Sequence, residues 1–100
     1  EMGGIRIHQS FNEVYVKGEE KEITDIEYHI LLLMMQYPGK IFSAQNLYES
    51  VWQEPYFYSC NSTIMVHIRN LRVKIEPDPK NPRYIRTEWG KGYKFDAGSE

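Results

Sequence analysis

The sequence predicts a small α+β domain in which short antiparallel strands come first, three helices follow and a β-hairpin comes last. Three observations predict this order. Apolar and polar residues alternate near the N-terminus, helix-capping signals precede segments of helical periodicity, and a glycine-containing turn separates two alternating segments near the C-terminus. A chain of 100 residues is long enough for one domain with a single modest core.

The N-terminal segment predicts an antiparallel sheet. Residues 5–8 and 13–16 alternate in the pattern of two short strands, with a turn around Ser10 and Asn12 between them. Residues 17–20 predict a second turn, and residues 21–23 a third short strand.

Two helices are predicted next, each with its own N-terminal cap. Thr24 and Glu27 form the spacing of a capping box, and the first helix then runs until Pro38 and Gly39 end it. Ser43 is placed to cap a second helix of about ten residues. The side chains expected to face the core are Ile26, Ile30, Leu33, Met34 and Tyr37 in the first helix, and Leu47, Tyr48, Val51 and Trp52 in the second.

The third helix, predicted over about residues 62–76, has two chemically different faces. Ile64, Ile68, Leu71 and Ile75 form one apolar stripe at 3.6 residues per turn. The opposite face has no carboxylate; it carries Ser62, Val66, Arg69, Asn70 and Val73, flanked by Thr63, Met65, Arg72 and Lys74. Such groups can hydrogen-bond base edges, contact thymine methyl groups and pair with phosphates, so we predict a DNA recognition helix.

The C-terminal segment predicts a β-hairpin, with strands over residues 84–88 and 93–95 and its turn over residues 89–92. Three helices followed by a hairpin, the third helix having a DNA-compatible face, is the layout of a winged helix-turn-helix domain. The hairpin would be the wing.

The distribution of charge agrees with this prediction although the net charge is −2. Residues 1–66 carry four basic and nine acidic side chains, whereas residues 67–94 carry eight basic and three acidic ones. Screening limits the reach of charge to about 10 Å, so the local sign governs attraction to phosphates.

Each candidate contact in the third helix has a functional and a structural interpretation. Asn70 is suited to a bidentate contact with adenine, and Val66 to a thymine methyl group; the alternatives are a solvated amide and a tolerated exposed valine. Ser62 and Thr63 are candidates both for capping the helix and for contacting DNA. The remaining cationic candidates, expected at phosphates, are Arg69, Arg72 and Lys74; the alternative is a charged exposed face. We expect His67 to be partly packed and also to contact a phosphate.

The wing supplies three further candidates. Thr87 and Lys91 are expected to contact phosphates. Trp89 is a candidate for a DNA contact, but we expect its ring to be packed at the base of the wing rather than inserted into DNA.

Other classes of function find little support in the sequence. Cys60 and His67 have no third orienting residue for nucleophilic catalysis, and His8, His29, Cys60 and His67 lack a recognised zinc spacing. We therefore expect neither an enzyme nor a metal or other cofactor. The longest apolar run has six residues and the N-terminus lacks the features of a signal peptide, so we expect a cytoplasmic protein with no membrane contact.

Six segments, in order, resemble the C-terminal effector domain of the OmpR/PhoB class of two-component response regulators. The resemblance covers about residues 5–95, and its segments are residues 23–28, 37–43, 47–52, 63–72, 81–87 and 90–95. The wing and the loop before the third helix look most similar to the VanR-like branch. This chain departs from the pattern at Ser62, Met65, Asn70 and Trp89, where the family often has Arg, Asp, Arg and Arg.

The resemblance implies a four-stranded N-terminal sheet, the missing strand being near residues 41–42 or within residues 5–23. It also implies that residues 1–4 are the end of a linker from a receiver domain, absent here, that a sensor kinase phosphorylates, and that residues 96–100 are a tail. The implied partners are promoter DNA with direct repeats, a second copy in a dimer on that DNA, and RNA polymerase. The polymerase contact would lie in the loop of residues 53–61, through Glu54, Tyr56, Phe57 and Tyr58.

A second hypothesis comes from the acidic balance and the missing arginines. In it, the winged helix is a protein-interaction module without DNA binding, and its contact surface is the aromatic loop of residues 56–58.

Overall fold

The computed structural model describes residues 2–57 and 60–96. Its first element is a three-stranded antiparallel sheet of neighbouring strands β1 (Ile5–His8), β2 (Glu13–Val16) and β3 (Glu19–Lys21). A 3-10 turn, Gln9–Phe11, joins the first two strands. The third strand begins two residues before its predicted position because the turn needs only Lys17 and Gly18, both at positive φ.

Both predicted helix caps are confirmed. In α1 (Asp25–Gln36), the Thr24 hydroxyl accepts a hydrogen bond from the Glu27 amide at 3.2 Å, and the Glu27 carboxylate accepts one from the Thr24 amide at 3.0 Å. Ser43 makes the same reciprocal pair with Asn46 at the start of α2 (Ala44–Trp52). These bonds satisfy amides that have no partner inside the helix, so each helix start is fixed.

Tyr37 was expected in the core, and that prediction is wrong. Its side chain is 52% exposed, because α1 ends at Gln36 and Tyr37 adopts a non-helical backbone conformation that turns it away from the apolar stripe. Ile30 and Met34 are fully buried, and Ile26 and Leu33 are partly buried against the core.

The third helix, α3 (Asn61–Ile75), is followed by a hairpin of β4 (Ile85–Glu88) and β5 (Gly92–Phe95). Phe42 and Tyr93 exchange two backbone hydrogen bonds of 2.7 and 2.8 Å, which join the hairpin to the segment before α2. Within the described residues the N-terminal sheet has three strands, so the four-stranded sheet is a wrong expectation. Phe42 pairs with the hairpin instead.

One core joins most of these elements. It contains residues of β1 and β2, of all three helices and of the hairpin; its fully buried members include Ile5, Val14, Ile30, Leu31, Met34, Leu47, Ile64, Leu71, Tyr84, Ile85 and Phe95. Burial of the α3 stripe in this core leaves the opposite face of α3 beside the wing and open to solvent.

The N-terminal residues contact the domain. The Tyr84 hydroxyl donates to the Gly3 carbonyl at 2.6 Å, and the Lys17 amide donates to the Gly4 carbonyl at 2.7 Å. At the other end the Asp96 amide donates to the Tyr84 carbonyl at 2.8 Å, and most of the predicted tail lies outside the described residues. The boundaries of linker, domain and tail stay predictions.

Candidate nucleic-acid interface

The exposed face of α3 has the composition that the sequence predicted. The four stripe residues, Ile64, Ile68, Leu71 and Ile75, are buried, and α3 runs one residue earlier than expected. Opposite the stripe, Met65, Val66 and Val73 are exposed large apolar side chains. Arg69 is exposed and Asn70 half-buried beside them. The face therefore offers one cation, one amide and several apolar groups to a partner.

The N-cap residue of α3 provides no side-chain cap. This residue is Cys60, whose side chain makes no capping hydrogen bond. Ser62 and Thr63 lie inside the first turn and are exposed, so the prediction that they cap the helix is wrong. Their role as DNA contacts stays a prediction.

Arg72 links α3 to the wing. Its Nε and Nη2 donate to the Ile85 carbonyl at 3.0 and 2.8 Å, and Nη2 also donates to the Thr87 hydroxyl at 2.9 Å. The guanidinium carbon lies 5.7 Å from the centre of the Tyr93 ring. Burial lowers the pKa of the Arg72 guanidinium from its ordinary value, but an arginine stays charged at any pH a protein tolerates.

Lys74 is held on the other side of α3. Its ammonium lies 2.6 Å from Glu27 Oε1, and Glu27 is only 2% exposed. Glu27 therefore closes the α1 capping box and holds α3 against α1 at the same time. The structure gives both Lys74 and Arg72 internal acceptors, a role that the sequence prediction of phosphate contacts did not include.

His67 is packed, as expected. Its ring lies 5.6 Å from the Trp52 ring, which stacks on Tyr48 at 4.7 Å, and its Nδ1 is buried with no hydrogen-bond partner among the described residues. This packing joins α3 to α2.

Trp89 lies at the tip of the wing and is 90% exposed, so the expectation that its ring packs at the base of the wing is wrong. The hairpin turn explains the exposure. The Lys91 amide donates to the Glu88 carbonyl at 2.9 Å and Gly90 has φ 79°, which places Trp89 at the apex of a tight turn that directs its side chain into solvent. Lys91 is exposed beside it, and Thr87 is half-buried under Arg72.

Two open grooves border Trp89. The first, which we call the helix groove, lies between α3 and the wing and has a volume of about 470 Å³. It is lined by Ser62, Met65, Val66, Ile68, Arg69, Arg72, Thr87, Trp89 and Tyr93. The second, the connector groove, has about 500 Å³ and lies between β4 and the segment that leads to it; it is lined by Arg72, Pro79, Lys80, Asn81, Pro82, Arg86, Thr87 and Trp89.

The loop between α2 and α3 presents part of the predicted aromatic surface. Phe57 is 66% exposed and Glu54 is exposed, whereas Tyr56 is half-buried with its ring 5.9 Å from the Tyr48 ring. Tyr58, the fourth predicted contact, lies outside the described residues. Cys60 lies at the end of this loop, and its hydrogen bond with Tyr48 of α2 raises the pKa of the Tyr48 hydroxyl.

Over residues 2–57 and 60–96, no group of three or more histidine, cysteine, aspartate or glutamate side chains is arranged to hold a metal ion. Among the helices of the same residues, none is both long and apolar enough to cross a bilayer.

Three helices, a C-terminal hairpin beside the third helix and an exposed outer face on that helix define a winged helix-turn-helix domain. The chain belongs to the family described as "Transcriptional regulatory protein, C terminal", whose model matches residues 18–95.

Individual relatives agree with this assignment. The chain is 57% identical over 95 residues to the uncharacterized transcriptional regulatory protein YrkP of Bacillus subtilis, covering 95% of this chain and 41% of YrkP. It is 37% identical over 93 residues to the regulatory protein VanR of Enterococcus faecium, covering 93% of this chain and 40% of VanR. The chain thus spans about two fifths of the length of these relatives, and VanR is among the proteins it resembles, as predicted.

A solved structure has the same fold. The response regulator DrrB of Thermotoga maritima, described as an OmpR/PhoB homologue, matches with a TM-score of 0.85 and 32% identity. The match covers 96% of this chain and 43% of DrrB.

Proposed function

We propose that this domain binds double-stranded DNA sequence-specifically and regulates transcription as the output domain of a response regulator. The observation that carries the proposal is the solvent-exposed face of α3, which has amide, guanidinium and apolar groups and no carboxylate. A helix fits the major groove, where each base pair presents a distinct pattern of donors, acceptors and methyl groups.

In the proposed complex α3 enters the major groove. Asn70 hydrogen-bonds an adenine, Val66 contacts a thymine methyl group, and Arg69 pairs with a phosphate. Both Val66 and Arg69 border the helix groove, which suits the backbone strand that separates the major from the minor groove. Ser62 lines the same groove and is proposed as a further contact to that strand. Thr63 and His67 do not line it and are proposed as contacts elsewhere along the duplex.

The wing lies on the adjacent minor groove or its backbone. Trp89 and Lys91 are the exposed side chains at its tip and are proposed to contact DNA there. Arg72 and Thr87 act mainly by fixing the wing relative to α3, since they hydrogen-bond each other at 2.9 Å. Lys74 acts mainly by pairing with Glu27, which holds α3 against α1.

The partners of the full-length protein are proposed from the family. They are promoter DNA with direct repeats, a second copy in a dimer on that DNA, RNA polymerase at the loop of residues 53–61, and a sensor kinase acting through a receiver domain outside this chain. A cytoplasmic location follows from these partners. Exposed Phe57 supports the polymerase contact, because aromatic residues are enriched at protein interfaces, and Glu54 is exposed in the same loop.

Selection of bound duplexes from a random pool tests the proposal. We expect enrichment of a motif whose copies lie about 10–10.5 bp apart. Affinity should fall steeply as salt rises, Asn70→Ala should relax preference at one base pair, and Arg69→Gln should lower the salt slope by about 0.9 without changing the motif. A folded domain that enriches no duplex at low salt would instead support the protein-interaction module.

A further inference from the structure

The connector groove differs from the helix groove in its chemistry. The helix groove combines apolar side chains of α3 with Arg69 and Arg72, whereas the connector groove adds two further cationic side chains, Lys80 and Arg86, to Arg72. The sequence did not indicate either residue as a DNA contact, since both lie outside the third helix and the tip of the wing. Trp89 stands between the two grooves and lines both.

Two acidic groups of this segment, Glu76 and Asp78, are engaged in hydrogen bonds within the segment. Glu76 is buried and accepts hydrogen bonds from the backbone amides of residues 83–85. Asp78 accepts hydrogen bonds from the Lys80 amide at 3.1 Å and from the Asn81 side chain at 3.0 Å. These bonds hold the Asp78 carboxylate in a local turn.

The two cations are available to an anion. Lys80 is exposed. Arg86 is also exposed, and its ion pair with Asp96 at 3.3 Å is of the surface type that contributes about 0–1 kcal/mol, so a phosphate can replace the carboxylate.

The dimensions of B-DNA relate the two grooves to two backbone strands. The minor groove is about 6 Å wide and has one phosphodiester strand on each side. If α3 is in the major groove and the wing on the adjacent minor groove, the strand between those grooves lies in the helix groove. The strand on the far side of the minor groove then lies beyond Trp89, where the connector groove is.

We infer that the connector groove is a second DNA-backbone site, in which Lys80 and Arg86 bind phosphates of the far strand of the minor groove. The inference rests on the proposed function, because it needs the wing on that groove. The indole of Trp89 then lies between the two strands and contacts their sugars. At the position where the family often has an arginine, this chain would thus make an apolar contact instead of a cationic one.

The test compares Lys80→Gln, Arg86→Gln and the double variant with a control, Arg6→Gln. The control removes one charge, as each single variant does, from β1, which lines neither groove. Binding of the selected duplex is measured over a range of salt concentrations. Each single variant should lower the salt slope by about 0.9 and the double variant by roughly 1.8, with the motif unchanged, whereas Arg6→Gln should leave the slope as it is.

Phosphate-ethylation interference locates the contact. In the wild-type protein, ethylation on both strands that flank one minor groove should weaken binding. In the double variant the interference on the far strand should disappear and that on the near strand remain. A double variant with unchanged slope and unchanged interference would overturn the inference. If Arg69→Gln still lowered the slope in that case, the proposed function would stand; loss of all duplex binding in the wild type would remove both.

Discussion

The carboxylate of Glu76, at the end of α3, accepts hydrogen bonds from the backbone amide of Tyr84, one residue before β4, at 3.0 Å from each of its oxygens. The amides of Arg83 and Ile85 also donate to it, at 2.7 and 2.8 Å. Glu76 is 7% exposed, so a buried charge is compensated by several backbone donors. This contact fixes where the wing begins relative to α3.

Glu76→Gln should therefore destabilise the domain by about 2–3 kcal/mol. The new side chain has one oxygen instead of two and places an NH₂ group against backbone amides that also donate. Urea denaturation measures the loss, and Glu20→Gln on exposed β3 is the control, expected within about 0.5 kcal/mol of wild type. Equal midpoints for the two variants would show that Glu76 does not fix the wing.

Gly92→Ala should be more damaging than Gly90→Ala, although both glycines lie in the wing. A Cβ at Gly92 would lie 2.1 Å from the Phe42 carbonyl oxygen, in backbone that is itself bound to Tyr93. A Cβ at Gly90 would meet nothing within 4 Å, and its cost is only that of a positive φ, about 1 kcal/mol. Thermal unfolding of the two variants tests this ranking, which fails if Gly90→Ala has the lower Tm.

Lys74→Met should destabilise the domain by about 2–3 kcal/mol, because it leaves the buried Glu27 carboxylate without its cation. The expected loss of stability is smaller than for a fully buried ion pair because Lys74 is about one third exposed. In the double variant Glu27→Gln with Lys74→Met, much of the loss should be recovered. Urea denaturation of Lys74→Met, Glu27→Gln and the double variant gives the coupling free energy between the two side chains. Additive losses of stability would contradict an interaction between Lys74 and Glu27.

The three helices and the caps of α1 and α2 were predictable because the responsible interactions are local. Thr24 and Glu27 are three residues apart, as are Ser43 and Asn46, and the α3 stripe repeats every three or four residues. Local spacing fixes such contacts whatever the rest of the chain does. The order of the predicted elements then predicted the fold. The buried stripe of α3 predicted which of its residues lie on the exposed face.

The tertiary roles of individual charged residues were not predictable. Lys74 reaches Glu27, which is 47 residues away, and Arg72 reaches Ile85 and Thr87 in a different element. A sequence shows that Arg72 flanks the exposed face, but not that the wing supplies acceptors at that point. The exposure of Trp89 depends on the turn geometry around Gly90, which the sequence does not specify for a four-residue tip.

Arg72 provides the sharpest distinction between fixing the wing and binding DNA directly. If its guanidinium positions the wing, both Arg72→Lys and Arg72→Gln should lose about 1–2 kcal/mol of stability, because neither side chain reproduces the forked contact with Ile85 and Thr87. Both should also bind the selected duplex more weakly, since a less fixed wing meets DNA at a higher entropic cost.

The salt slope should nevertheless stay that of wild type in Arg72→Gln, in contrast to Arg69→Gln, because no phosphate contact has been removed. Binding titrations at four or more salt concentrations, with urea denaturation of the same samples, measure both effects. A stable Arg72→Gln domain whose slope falls by about 0.9, together with wild-type behaviour of Arg72→Lys, would instead assign the guanidinium to a phosphate.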